Sequence, residues 1–537
     1  MLSLSLRPVR LHRLSISVHQ VPLIKVFILF KWLIPQTSIS EQELQYAQKM
    51  VMRDGILTQI MGNLTGGAFI VAFALLLGAS NVVIGLIAAL QALAQILQLP
   101  TIYLVEATRN RKALMVFGLF MSRIFWLLLA LIPWVVPPDY RVPAMFVALF
   151  VDFAIGTIAG LAWNSWMHDL IPPGILGSYM GKRMAVSTAF GVVVTLVAGF
   201  GVDAFRVNFV GTSLLVIYSI YIGLGGLIGL WSVYYIARTP EPQMQHPPHS
   251  NLWAQIREPL QDMNFRRLLV FLGTWSFAVN LAAPFFTVYM LKRLDLSMGV
   301  IVALTVLSQI VNVMFFRLWG KLADRFSNKS VLAESGFMFI TTFMMWPFTS
   351  LSSHFWIGMS VLLMIHVLAG ISNAGVTLCT GNIALKLAPH GKATAYLAVR
   401  SFVSGIMATL APPLGGMLGN WFENKRLSIN LAWSSMNTHT AWQVPAMALS
   451  GLDFLFVFAF VFGLYALHRL LAVEEVGEAE KGVVLAEFNG EIRKAVRDIS
   501  SVAGLRGLLV LPYSQLLRLI GERRSYRRPA KAVETKP

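Results

Sequence analysis

Charge is scarce in this chain. Asp, Glu, Lys and Arg make up 13% of 537 residues, about half the quarter usual in soluble domains. A soluble globule of that length needs more charge to cover its surface, so that class is excluded. Cysteine is scarcer still. Cys379 stands alone, which excludes an intramolecular disulfide, and its apolar helical setting reads as packing. Several chemical signatures are missing as well: His-Glu-x-x-His, Gly-x-Ser-x-Gly, a Walker loop and any cysteine cluster. Their absence argues against an intramembrane enzyme and against a primary ATP-driven pump, and no cofactor or metal is expected. Period-two alternation is also missing, which argues against a membrane β-barrel.

Apolar residues are abundant: AVILMFWYC account for 56%, and the mean hydropathy is +0.67. Runs of about 20 apolar residues are long enough to cross a bilayer as helices. Twelve occur, at roughly 54–77, 81–103, 112–133, 141–166, 183–202, 211–236, 265–290, 297–318, 330–349, 354–378, 395–418 and 441–470. The expected fold class is therefore an all-α polytopic membrane protein.

The net charge of +18 would suggest nucleic acid in a soluble protein. Here the distribution across the spans explains it. With the N-terminus inside, the cytoplasmic segments carry 36 Lys and Arg and the opposite loops carry 6. That is the positive-inside pattern, with both termini cytoplasmic. It predicts a multi-pass protein of the inner or plasma cell membrane, in contact with lipids and with no nucleic-acid partner. Residues 1–53 form a basic N-terminal extension whose first 40 residues contain no Asp or Glu. Its stretch from Val21 to Pro35 reads as interfacial, or as an extension from an upstream start ahead of the true N-terminus. Residues 471–537 form a basic tail in which Leu505 to Ile520 reads as an amphipathic membrane-surface helix or as a solvated segment.

The chain also repeats itself. Pro172, Tyr179 and Arg183 after the fourth span recur as Pro389, Tyr396 and Arg400 after the tenth, at an offset of 217. Gly85 and Gln95 in the second span recur as Gly299 and Gln309 in the eighth, at an offset of 214. The repeat pairs a half at 54–236 with a half at 265–470, joined by a Pro- and His-rich linker at 237–264. Six spans repeating as six spans give parallel halves related by an axis along the membrane normal, with a site expected between them at mid-depth.

The loop Gly320-Lys-Leu-Ala-Asp324-Arg325-Phe-Ser-Asn-Lys329 resembles the loop signature of the major facilitator superfamily, with Ser327 and Asn328 in place of its Gly and Arg. Pro412-Pro-Leu-Gly415-Gly416 is similar to that superfamily's eleventh-span motif. The equivalent first-half loop, from Val105 to Lys112, is degenerate. The fifth span lacks the Pro of the antiporter signature. The resemblance covers about 54–470. It implies twelve helices in two six-helix bundles and a latch role for Gly320, Asp324, Arg325 and Lys329. It also implies alternating-access transport of a small-molecule solute by a monomer, with protons as the coupling ion. A transporter-derived sensor or assembly factor is the alternative. The first, fourth, seventh and tenth spans are expected to line the cavity.

Polar residues inside spans are costly, by about 2.5–3.5 kcal/mol for a charge at the centre, and so mark candidate sites. Arg123 and Asp152 fall near mid-depth of adjacent spans, as a structural ion pair or as a proton- or substrate-responsive pair. His366 falls at mid-depth of the tenth span, as a packed residue or a cavity residue, and Asp453 at mid-depth of the twelfth. Gln59 and Asn63 share a helix face in the first span, and Asn280 in the seventh is their opposite-half counterpart. Gln91, Gln95 and Gln98 form a polar stripe that Gln309 and Asn312 partly repeat. The stripe reads either as hydrogen bonding between the halves or as a gate lining. Trp163 and Trp166 read as interface anchors. Asp54 and Glu334 sit near the ends of spans, where solvation is cheap.

Overall fold

Ser40 starts the first long helix. Its hydroxyl accepts from the Glu43 amide and the Glu43 side chain reaches back to the Ser40 amide, a complete capping box. From there the computed structural model describes residues 33–95, 101, 104–105, 108–244, 252–351, 354–389, 393–434, 441–475 and 483–500. Helix α1 (Glu41–Thr65) continues after a break as α2 (Gly67–Leu76). Helices α3 (Asn81–Gln95), α4 (Arg111–Val135), α5 (Pro138–Leu170), α6 (Pro173–Asn208) and α7 (Leu215–Ala237) complete the first half. The linker carries α8 (Leu252–Gln261). The second half comprises α9 (Met263–Lys292), α10 (Met298–Arg325), α11 (Asn328–Met345) with a 3₁₀ turn Trp346–Ser350, α12 (Phe355–Leu387), α13 (Ala393–Phe422) and α14 (Leu452–Leu470). Among the described residues eleven helices are long and apolar enough to cross a membrane, and Asn81–Gln95 is a shorter apolar helix. This is the all-α architecture expected from hydropathy.

Two boundaries differ from the sequence reading. The first helix begins at Glu41 rather than near 54, because its first turns are amphipathic and fall below a hydropathy window. The twelfth run does not start as a helix. Arg426–Ser434 (β1) and Ala441–Ser450 (β2) form an antiparallel hairpin, with a bulge between Ile429 and Asn430. Pro445 pairs beside that bulge, a position where a proline's missing N–H is tolerated. Asp453 therefore stands in the first turn of α14, at the membrane edge, and its carboxylate accepts from the Ser450 amide at 2.9 Å. The expected amphipathic segment at 505–520, the interfacial stretch up to residue 32 and Gln98 lie outside the described residues. A different helix, α15 (Val483–Ser500), is present in the tail.

We call the side where α1, α4, α6, α9, α11 and α13 begin the near face. Three buried clusters organise the interior. The far-face cluster is shared: Ile84 and Val202 of the first half pack in one core with Ile301, Val302 and Ala411 of the second. The near-face cores are separate. One holds Val51, Ala113, Trp166 and Ile236, and the other holds Phe265, Trp319, Cys379 and Phe488. The halves thus touch at the far face through α3 against α13 and α6 against α10. Small residues allow the approach: a Cβ at Gly85 would fall 2.2 Å from the Pro412 carbonyl oxygen, and one at Gly416 would fall 2.4 Å from that of Asn81. One bond set crosses the same contact. Asp203 of α6 accepts from the Met298 and Gly299 amides, at 3.0 and 2.9 Å, and so caps α10 across the boundary between halves. Toward the near face Gln309, Ile310, Val313 and Met314 of α10 are exposed. The molecule is closed on the far side and open on the near side.

Each half closes its near face with a glutamate that follows its last helix. Glu241 accepts from the Arg111 and Lys112 amides, at 2.9 and 3.0 Å, and from Arg111 Nε at 3.0 Å. Arg111 is fully buried, and it also reaches Asp169 and the Pro242 carbonyl. Burial pushes the Glu241 carboxyl upward from its ordinary value, and the hydrogen bonds from Arg111 and the two amides oppose that shift. Glu475 repeats the arrangement: it accepts from the Asn328 and Lys329 amides, at 3.3 and 2.7 Å, and pairs with Lys386 at 2.9 Å. Trp166, expected at a lipid interface, is instead fully buried in this seal and donates to the Pro240 carbonyl.

Candidate functional site

A cavity of about 840 Å³ lies at mid-depth where α1 gives way to α2. The break is built into the sequence. Gly67 takes φ +55, in the left-handed region that glycine occupies without strain. The Thr65 hydroxyl turns back to the Met61 carbonyl at 2.9 Å, ending α1. The first turn of α2 then starts on the cavity wall with no side-chain cap. A discontinuous helix at this depth is tolerated where it lines a cavity.

Helices α4 and α5 bring Arg123 and Asp152 to the same cavity. They do not form the direct pair that the sequence suggested as one reading. The Ser122 hydroxyl donates to Asp152. Among the described residues no carboxylate lies within 4.0 Å of Arg123, and its Nε is buried without a hydrogen-bond partner. Arg123 stands within electrostatic reach of both Asp152 and Asp54. Gly229 of α7 makes room for it, since a Cβ there would fall 2.7 Å from Arg123 Cδ. The Trp126 indole N–H is buried near Asp152, also without a partner. Gln91, Gln95, Thr157 and Asn164 add polar lining, and Pro284 and Thr287 of α9 close the cavity from the second half. The site is drawn mainly from the first half rather than equally from both.

Other candidates lie elsewhere. Gln59 donates to Asn63 at 2.9 Å, and Asn63 donates to Thr195 of α6 at 2.7 Å. Asn280 donates to the Ser276 carbonyl at 2.8 Å, and Ser276 donates to Ser404 of α13. These are matching polar contacts inside each half. Asn312 donates to the Gly370 carbonyl of α12 at 3.4 Å, again within one half, and Gln309 is exposed. His366 is buried, with Nδ1 2.9 Å from the Leu362 carbonyl and its ring edge-on to Trp346. It packs between helices and does not line the cavity. In the loop signature Gly320 packs near Leu378 and Asp324 is exposed. Arg325 pairs with Glu487 of α15, and Lys329 Nζ donates to the Leu471 carbonyl at 3.3 Å.

Two groups were underweighted. Asp54, expected at the end of a span, lies in the middle of α1, is 3% exposed and pairs with Arg183 at 3.3 Å. Arg183 also donates to the Val51 carbonyl and stacks over Trp163. The repeat of Arg183 as Arg400 was the available signal. The Gly66–Gly67 pair inside an apolar run was the signal for the helix break.

Comparison with known proteins agrees with this architecture. No curated protein sequence matches the chain. The nucleoside transporter NupG, solved as a point mutant, superposes with TM-score 0.58 at 11% identity, covering 80% of this chain and 100% of that one. A D-xylose-proton symporter gives 0.58 at 12% identity, covering 80% and 98%. A bacterial homologue of the human lysosomal transporter Spinster, inward-facing and unoccupied, gives 0.56 at 13% identity, covering 81% and 98%. At these identities the likeness shows the fold. The family profile described as Major Facilitator Superfamily matches residues 55–412, and the chain belongs to that superfamily of membrane transporters.

Proposed function

We propose that the chain is a secondary active transporter that moves a small-molecule solute by alternating access, coupled to protons through Asp152. The supporting observation is the mid-depth cavity bearing Arg123 and Asp152, sealed at the far face by a core shared between halves and open toward the near face. With 36 Lys and Arg on the near side against 6 opposite, the near face is the cytoplasmic one in this reading, and the described state faces inward. Asp152 is a proton site of the right kind: a carboxyl in a water-accessible cavity, held by Ser122, beside a cation whose attraction changes when the proton binds. The solved relatives include a D-xylose-proton symporter, which supports proton coupling as a mode this fold accommodates. The protein functions as a monomer in the cell membrane, and the loop at 320–329 rearranges against its neighbours as the halves rock.

The test is reconstitution of the full chain in liposomes under an imposed pH gradient, with a pH dye inside and a panel of solutes outside. A solute that dissipates the gradient identifies transport. Asp152→Asn is expected to abolish gradient-driven accumulation while leaving downhill exchange. Accumulation unchanged in that variant would remove Asp152 from the coupling step.

A further inference from the structure

We propose that the solute is an organic anion, a carboxylate- or phosphate-bearing molecule with an apolar body, held by Arg123 at the break between α1 and α2. The inference rests on the transport reading above and assigns its substrate class.

Buried donors on the cavity wall lack acceptors among the described residues. Arg123 is the most costly of these groups. A guanidinium at mid-depth of a span is stabilised only by partners, and its Nε has none, with no carboxylate within 4.0 Å. Asp152 does not supply the missing bond, because Ser122 occupies one of its oxygens and the two side chains stay apart. Asp54 is engaged with Arg183. The Trp126 indole N–H is a second buried donor on the cavity wall, facing Asp152 without a hydrogen bond of normal geometry. The third is the uncapped start of α2 at Gly66–Gly67, whose amides and dipole favour negative charge. Three independent donor systems, a side-chain cation, an indole and a helix start, therefore line one cavity and share one need, an anionic acceptor.

The second half adds charge of the same sign. Arg400 of α13, the repeat counterpart of Arg183, has no hydrogen bond or ion pair among the described residues. At the early-span offset of 214, its matching position on α9 is Leu268 where the first half has Asp54, so the carboxylate that balances Arg183 has no counterpart. The spans thus carry positive charge left unbalanced beside a vestibule open to the near face. A solute anion entering from that side would be drawn inward. The remaining wall, with Ile70, Ile84, Leu119 and Phe153, suits an apolar body rather than a polyol.

The experiment uses the full chain in lipid nanodiscs and reads ligand-induced shifts in melting temperature and Trp fluorescence. The probes are benzoate, hexanoate and phenyl phosphate, with the neutral benzamide and hexanamide as matched controls and tetraethylammonium as a cation. At least one anion is expected to stabilise the protein, with its neutral or cationic counterparts silent. Arg123→Gln is expected to weaken that anion about 10- to 100-fold, the loss typical of one charge-assisted contact. Arg123→Lys should recover part of it, and the ligand-free melting temperature of both variants should show that they fold. Binding of the amides as tight as that of the anions, anion binding unchanged in Arg123→Gln, or no response to any anion would each overturn the assignment. Failure of transport is distinguishable. If a neutral solute crosses liposomes and is indifferent to Arg123, the transporter stands and the anion class falls. If anions bind through Arg123 but never cross, the reverse holds.

Discussion

Asp203 makes the far-face closure testable in energetic terms. Its carboxylate is held by the Met298 and Gly299 amides at 3.0 and 2.9 Å, and these bonds exist only while α6 and α10 lie together. A hydrogen bond to a charged group contributes about 1.5–3 kcal/mol, and an acid at a helix start about 0.3–1 kcal/mol more. Allowing for partial exposure, Asp203→Ala should weaken the far-face-closed state by about 2–3 kcal/mol, a factor of roughly 30 to 150. If the far-face-open state is about 1% populated in the wild type, it should rise to roughly a quarter to a half or more. Asp203→Asn keeps one acceptor and should fall between. Spin labels at exposed Val210 and Lys292, on a Cys379→Ser background, report the far-face separation by pulsed electron resonance. A new long-distance population is expected in the alanine variant. A distance distribution identical to wild type in a folded Asp203→Ala protein would refute the idea that this cap holds the two halves together.

Other expectations concern the seals and the tail. Gly85→Leu cannot be accommodated against the Pro412 carbonyl, so the same labels should show the far-face contact forced apart, and an unchanged distance would contradict the packing. Glu241→Ala strips two helix amides and part of the partner set of buried Arg111. It should cost about 3–5 kcal/mol, read as a clear drop in melting temperature, and a melt within about 1 °C of wild type would argue against the seal. Phe488 stacks on fully buried Trp319 at 4.4 Å. Phe488→Ala should undock α15, making the tail cleave earlier in limited proteolysis than in the wild type.

Much of the architecture was legible because two signals are global. Hydropathy over 20 residues and the 214 and 217 offsets do not depend on any single contact. What escaped was local. The run at 441–470 is largely apolar, and hydropathy alone does not separate a strand from a helix; Pro445 and Gly451 were the residues in it that spoke against one unbroken helix. Depth counted from that false start then misplaced Asp453. At the site, the sequence put Arg123 and Asp152 in adjacent spans at similar depth, and the structure brings both to one cavity. It did not reveal that Ser122 would take the carboxylate and leave the arginine unmatched, because that depends on side-chain direction across two helices. Gln59, Asn63 and Asn280 share a polar pattern in the sequence, but the groups that anchor them, Thr195 on Asn63 and Ser404 on the Ser276 that Asn280 meets, lie more than a hundred residues away.

The duplicated near-face seal also constrains how the two halves diverged. Each has a glutamate over the start of its third span, yet the residues around it carry their charge differently. Arg111 and Asp169 in the first half stand where Asn328 and Lys386 stand in the second. Asn in place of Arg111 alone would leave Asp169 and Glu241 without their shared cation, so that change depends on the other. Arg111→Asn by itself should damage the fold, and Asp169→Lys added to it should repair part of the damage. The two halves have kept one shape while encoding it in charge patterns that can no longer be exchanged one residue at a time.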